Sequence, residues 1–252
     1  MAIAYNAKII TSNLVLCLDA LNPKSYSGSG TTWSDISGKE NNATLTGSAS
    51  HVTWNNGGYF THNPGDSYFG ASASNTTAST SYGGYWVISN ATNLSPNGGS
   101  WSICGWVKPN GDQSGNGGGW FHKHGGGDER QLMAEFISGN FRVNGASGWS
   151  QVMHNIDNSG VWQYISITYK TNGIYGTAAG NLNYYINGAL VTTLTGFYPV
   201  VEAGGPIWLG RRNGHLQHFF KGDLAMYQYY TQELTASEIT QNYNAHKSRF
   251  GL

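Results

Sequence analysis

The run from Trp162 to Val191, WQYISITYKTNGIYGTAAGNLNYYINGALV, limits what this chain can fold into more than any other stretch. Ile165, Ile167 and Tyr169 fall on one side of an extended strand and Ser166 and Thr168 on the other. That period of two belongs to a strand buried on one face. A loop rich in Gly, Asn and Ala follows, then NLNYYI, Asn187-Gly188 and ALV. Asn-Gly between apolar runs is a strong hairpin signal, because a two-residue turn needs positive φ at both positions. Strand, loop and hairpin make one layer of an antiparallel sheet. Such a layer buries its apolar face only against a second layer.

Other segments supply that second layer. Strands are expected within residues 8–20, 43–46, 59–61, 86–89, 101–108, 120–123, 131–136, 140–143, 150–154, 206–210 and 220–230. In WSICGWVK, Trp101, Ile103 and Val107 oppose Ser102, Cys104 and Trp106. From the turn-rich residues 21–43, Trp33 and Ile36 are expected to fold back onto the core. The one expected helix is C-terminal. Thr235 and Glu238 have capping-box spacing, and Ile239 and Tyr243 share one face of a helix over about Ala236–Lys247. The reading is all-β, a two-sheet antiparallel sandwich forming one domain over 1–252. Residues 1–10 are an N-terminal extension, 63–84 a polar insertion loop, and 235–248 carry the helix.

Composition narrows the function. There are 13 basic and 13 acidic side chains, a formal net charge of zero, so no positive field exists to hold nucleic acid. Only 10% of residues are charged while 13% are aromatic and 36 are glycine, which describes a folded, turn-rich domain rather than a disordered chain. No apolar run is long enough to span a bilayer as a helix. The first residues, MAIAYNAKII, lack the pattern of a secretory signal, so synthesis in a cytoplasm without export is expected. Cys17 and Cys104 both sit in apolar strand contexts and are expected to be buried free thiols. A disulfide would require their strands to be neighbours.

Five stretches in order, residues 14–45, 101–108, 162–170, 183–191 and 222–245, resemble the LamG-like branch of the concanavalin A-like lectin/glucanase superfamily. The resemblance implies a jelly roll of two curved sheets. The opening, LDALNPKSYSGSGTTWSDISGKENNATL, resembles a form found in tailed-phage virion proteins. Residues 51–69 depart from the family pattern: YFTHNPGDSYF and a Ser/Thr/Ala insertion stand where FDG-x-x-D-Y-I is usual.

Because the superfamily includes glucanases, catalysis has to be weighed. A retaining glycosidase needs two carboxylates about 5–5.5 Å apart, which the family supplies from an E-x-D-x-E strand. No such strand exists here. The nearest acids are Asp128, Glu129 and Glu135, read as turn charges, so no catalytic residue is assigned and the chain is expected not to be an enzyme. His122 with His124, and His215 with His218, are too few for a transition-metal site. No cofactor is assigned, but calcium would suit the oxygen-rich set Asp19, Asp35, Asn41, Asn42 and Asp223. Otherwise these side chains simply bond turn amides. Aromatic rings beside polar loops suit the apolar faces of sugars, and Trp120, Trp149, Tyr82, Tyr85 and Trp86 are the candidates for a glycan site.

The expected function is a non-enzymatic phage virion component, a capsid decoration, neck or fibre protein. It would be present in several copies or as a homo-oligomer in the virion, and its partners would be other virion proteins and host surface glycan. The polar loops 63–84 and 109–119 are expected to meet a partner. The alternatives are a polysaccharide depolymerase and a cellular carbohydrate-binding module.

Overall fold

The computed structural model describes residues 8–64, 83–89, 91, 94, 99–110, 118–124, 130–137, 139–145, 148–155, 160–172, 180–197, 205–212 and 219–252, with only the backbone for 124, 130–131, 144–145 and 148–155. The strands are β1 (Leu14–Asp19), β2 (Thr32–Trp33), β3 (Ala43–Gly47), β4 (Val52–Asn55), β5 (Tyr59–His62), β6 (Gly84–Ile88), β7 (Trp101–Pro109) and β8 (Gly118–His124). They continue as β9 (Arg130–Ile137), β10 (Asn140–Gly145), β11 (Gly148–Asn155), β12 (Gln163–Lys170), β13 (Gly180–Ile186), β14 (Ala189–Phe197), β15 (Ile207–Leu209) and β16 (Gly222–Tyr230). The helix α1 spans Ala236–His246.

Two antiparallel sheets result. The first runs β14-β13-β12-β7-β16-β5-β4, and β1 also pairs with β16. β5 pairs with the first residues of β16 and β1 with the last, so the two share one edge of that strand. The second sheet runs β11-β10-β9-β8-β15-β6-β3-β2. Leu16, Trp33, Phe60, Trp86, Trp101, Ile103, Trp120, Phe136, Ile165, Ile167, Leu209 and Tyr227 are among the side chains that fill the space between them. The alternation read in β12 and β7 holds in direction: Ile165, Ile167, Trp101, Ile103 and Val107 face the core, while Tyr164, Cys104 and Trp106 face outward. The expectation that β12 is buried on one face only fails, because its outward side chains are buried as well. Gly105 falls on the inward side of β7. A Cβ there would come within 2.5 Å of the Met226 carbonyl oxygen and 2.9 Å of the Trp120 ring, so only glycine lets β16 and that indole approach so closely.

The Asn187-Gly188 turn has φ of 51° and 83°, the double positive φ that the hairpin demands. Asn187 also accepts from the Tyr164 backbone N–H at 2.9 Å, which ties the hairpin back to β12. A register shift between Leu224 and Met226 places Ala225 and Met226 both outside. Tyr227 and Tyr229 therefore turn inward, opposite to a strict period of two.

The outer face of the first sheet has a core of its own beneath α1. Thr235 and Glu238 form the capping box, and Ile239 is fully buried against the cluster around Trp106, Tyr164 and Tyr230. Cys17 and Cys104 lie in this layer, both free and buried. Both are paired in register with Gln228, from opposite sides. Two strand spacings, about 9–10 Å, separate them, beyond the reach of about 7 Å for a disulfide.

Some expectations change. The first strand begins only at Leu14, since Asn13 has φ of 53° in a turn. Trp33 is buried, but Ile36 is 36% exposed. The Ile36 backbone N–H, bonded to the Cys17 carbonyl at 2.9 Å, is what docks that loop. β2 and β4 were not expected; each is too short to show alternation.

Candidate ligand-binding face

One corner of the first sheet's outer face lies beyond α1. Phe60, Leu224 and Val107 point into the core, so their neighbours Thr61, Asp223 and Lys108 point out. With Thr53 these form one row of successive cross-strand partners, Thr53–Thr61–Asp223–Lys108. Trp162, just before β12, continues the row, because Gln163 pairs with Val107. Tyr59 stands one row away, opposite Asn55.

Hydrogen bonds fix the polar members. Asn55 Nδ2 donates to Thr61 Oγ1 at 3.0 Å, and Thr61 Oγ1 donates to Asp223 Oδ1 at 2.7 Å. Lys108 Nζ lies 2.5 Å from Asp223 Oδ2. The Lys108 ammonium is also 5.5 Å from the centre of the Tyr59 ring and 5.4 Å from that of Trp162. Tyr59 and Trp162 meet nearly edge-on, 5.4 Å apart at 72°. Phe250 supports Trp162 from behind at 4.6 Å and itself stacks on the buried Trp106. Tyr59, Trp162, Thr61 and Asn55 are all half-buried, and the Lys108 side chain is 27% exposed. Two partly open aromatic rings thus flank an oriented carboxylate and an ammonium. This arrangement can offer stacking surface to C–H groups together with donors and acceptors for hydroxyls.

On the outer face of the second sheet, among the described residues, several polar side chains are buried. His122, Met133, Glu135 and Arg212 are buried there. Arg142 Nε pairs with Glu135 Oε1, and Arg212 Nη1 lies 3.6 Å from Glu135 Oε2. The guanidinium of Arg211 is caged by Tyr85, Trp208 and Phe219 at 4.7, 5.0 and 4.9 Å, and burial pulls its pKa down. Glu135, read from the sequence as a turn charge, is instead a buried residue of β9 engaged by two arginines.

The glycan candidates divide accordingly. Trp86 and Trp120 must be corrected: both are fully buried between the sheets, Trp86 against Trp33 and Phe60 and Trp120 stacked on Tyr227, so neither can meet a sugar. Tyr85 is 5% exposed, packed against the guanidinium of Arg211 on the second sheet. Tyr82 and the side chain of Trp149 lie outside the described residues, as do Asp128, Glu129, His215, His218 and the side chain of His124. Residues 65–82 and 111–117 of the two partner loops also lie outside them.

The calcium candidates sit in three settings. Asp35 accepts from the Cys17, Ser37 and Asn41 backbone N–H groups and from the Ser37 hydroxyl, at 2.8–3.0 Å. Asn42 accepts from the Asp35 N–H, and Asn41 donates to the Val15 carbonyl. Asp19 is bonded by Arg249 and by the Leu21 N–H. Asp223 belongs to the aromatic corner. Among the described residues no three His, Cys, Asp or Glu side chains are grouped to hold an ion. A cleft of about 490 Å³ includes Cys17, Asp19 and His246 in its lining. Burial and the neighbouring Asp19 and Asp35 push the Cys17 thiol up to about 12, which leaves it without a nucleophilic thiolate at neutral pH.

Sequence reasoning missed Tyr59, Trp162 and Lys108 as a unit. The signal was parity: Tyr59 and Lys108 lie next to inward-facing residues of their strands, and Trp162 lies two residues before the outward-facing Tyr164, so all three face outward.

No curated protein matches this chain. Solved structures do. The binding domain of botulinum neurotoxin DC in complex with SialylT is 15% identical with a TM-score of 0.62, over 93% of this chain and 52% of that one. A botulinum neurotoxin type C structure, described by its dependence on two ganglioside molecules for cell entry, is 16% identical with a TM-score of 0.63, over 94% and 52%. Trypanosoma rangeli sialidase in complex with sialic acid is 14% identical with a TM-score of 0.65, over 96% of this chain and 34% of the sialidase. The chain thus spans about half the length of the neurotoxin chains, and at these identities the likeness establishes the fold. The sequence profile of the Laminin_G_3 family matches residues 79–240, more than half of the chain. With two antiparallel sheets around one core and this match, the chain belongs to the concanavalin A-like lectin/glucanases superfamily.

Proposed function

We propose that this chain is a non-enzymatic component of a phage virion, displayed on the particle exterior, that holds host surface glycan through the Tyr59–Trp162 corner. The observation that carries the glycan part is the row itself: two half-buried rings beside a carboxylate and an ammonium already fixed in place by neighbours. Preformed polar groups beside aromatic surface need little reorganisation to bind a sugar. The non-enzymatic part draws on Glu135, whose two oxygens face Arg142 and Arg212 rather than a substrate groove. The virion part rests on the resemblance of residues 14–45 to tailed-phage proteins. The zero net charge fits a role away from packaged DNA. Glycan-binding structural neighbours are consistent with the reading. Other virion proteins are the remaining partners, and several copies on one particle would raise weak single-site binding through avidity.

Mass spectrometry of purified particles tests the location, and adsorption of a deletion phage tests the role. The chain is expected in the particle, with adsorption impaired when it is removed. Its absence from particles, or unchanged adsorption and particle stability, overturns the proposal. Release of reducing sugar from host polysaccharide by the pure protein would overturn the non-enzymatic part.

A further inference from the structure

The charge pattern of the Tyr59–Trp162 corner points to its ligand class: we infer that it takes a neutral saccharide and discriminates against sialylated or uronic-acid glycans. The inference rests on the glycan reading above.

Among the described residues, Lys108 and Arg249 border the corner and each is paired with a carboxylate. Lys108 is held by Asp223 at 2.5 Å and Arg249 by Asp19 at 2.7 Å. Lys247 stands over the ring of Tyr243, which itself stacks on Trp106 rather than Trp162. An acidic sugar could take Lys108 as its own counter-ion only by drawing it off Asp223. That carboxylate is 8% exposed, and stripping it of its cation would leave a nearly buried charge unpaired. Without that exchange, the acidic group would have to lie beside Asp223 and meet like charge.

A neutral sugar needs neither change. Asp223 has a spare lone pair on each oxygen beyond Thr61 and Lys108, but with its side chain only 8% exposed the main polar contact it offers a sugar is the Lys108 ammonium that it holds in place. Lys108 spends one of its three N–H bonds on Asp223 and can donate to a sugar oxygen through another. The exposed parts of Trp162 and Tyr59 meet the C–H face. Asn55 and Thr61 orient the carboxylate without carrying charge.

The test is a panel of neutral gluco-, galacto- and manno-oligosaccharides beside the same backbones bearing sialic or uronic acid. Binding is measured by array and then by calorimetry, for the full chain and for Asp223→Asn, Lys108→Met and Trp162→Phe, with each variant's melt recorded. Wild type is expected to bind a neutral member at least about tenfold tighter than its acidic counterpart, the size of one charge contact. Trp162→Phe should weaken that binding. Asp223→Asn, which frees Lys108, should narrow or reverse the ratio. A wild-type preference for acidic members that Lys108→Met abolishes overturns the inference and leaves the glycan reading standing. Neutral binding untouched in all three folded variants places the ligand elsewhere and overturns it too. If no member binds, the glycan reading itself falls.

Discussion

His62 is the group whose protonation the fold resists most plainly. It closes β5, is buried, and its Nδ1 donates to the Gly84 carbonyl of the opposite sheet at 3.2 Å. Its Nε2 is buried with no partner. A proton there would bring a charge and an N–H with no acceptor, so burial lowers the pKa from 6.5 to about 4 despite the Gly84 bond. Because the folded pKa is depressed, the stabilising contribution is complete above about pH 6.5, where both states hold a neutral ring, and is lost as pH falls from 6.5 towards 4. At about 1.4 kcal/mol per tenfold difference in proton affinity, the loss between about pH 7.5 and about pH 4.5 is about 2–3 kcal/mol. Urea unfolding across that window measures it. His62→Leu should be less stable at the upper pH, since the Gly84 oxygen loses its donor, but its decline should be shallower by about 2–3 kcal/mol. Groups common to both proteins, His246 among them, cancel in the comparison. An equally steep decline in the variant would refute the reasoning.

Ile239→Ala empties a fully buried site under α1 and should cost about 2–4 kcal/mol; an unchanged melting temperature would mean the helix is not docked. Cys17 and Cys104, pushed by burial to about 12 and about 11, should resist thiol reagents in the native state and react on unfolding, as timed labelling with mass readout would show. Gly105→Ala forces a methyl against the Met226 carbonyl and Trp120 and should destabilise by about 1–3 kcal/mol or more in denaturant titration.

The fold was legible wherever neighbouring residues carried it. The alternation of β12, the Asn-Gly turn and the Thr235–Glu238 cap are local, and each stands where the sequence places it. The site was less legible because its members meet across strands distant in the chain. Asp223 reads as a spare oxygen ligand until Lys108 and Thr61 are brought beside it in register. Trp86 and Trp120 border polar loops, which suggested exposure. Trp86 shares its parity with the inward-facing Ile88, while the register shift between Gly119 and Phe121 lets both Trp120 and Phe121 face the core. Trp162 opens the most informative stretch of the sequence. Its outward position follows from the inward Ile165 and the outward Tyr164, but its supports, Tyr59 and Phe250, come from the two ends of the chain.

The most direct test of glycan binding at this corner is to follow the tryptophan indole N–H resonances during titration with neutral oligosaccharide. The account predicts that Trp162 shifts with ligand and saturates, while Trp33, Trp86, Trp101 and Trp120, sealed between the sheets, do not move. A titration in which no indole responds to any glycan, or in which Trp208 on the second sheet responds and Trp162 does not, would contradict it.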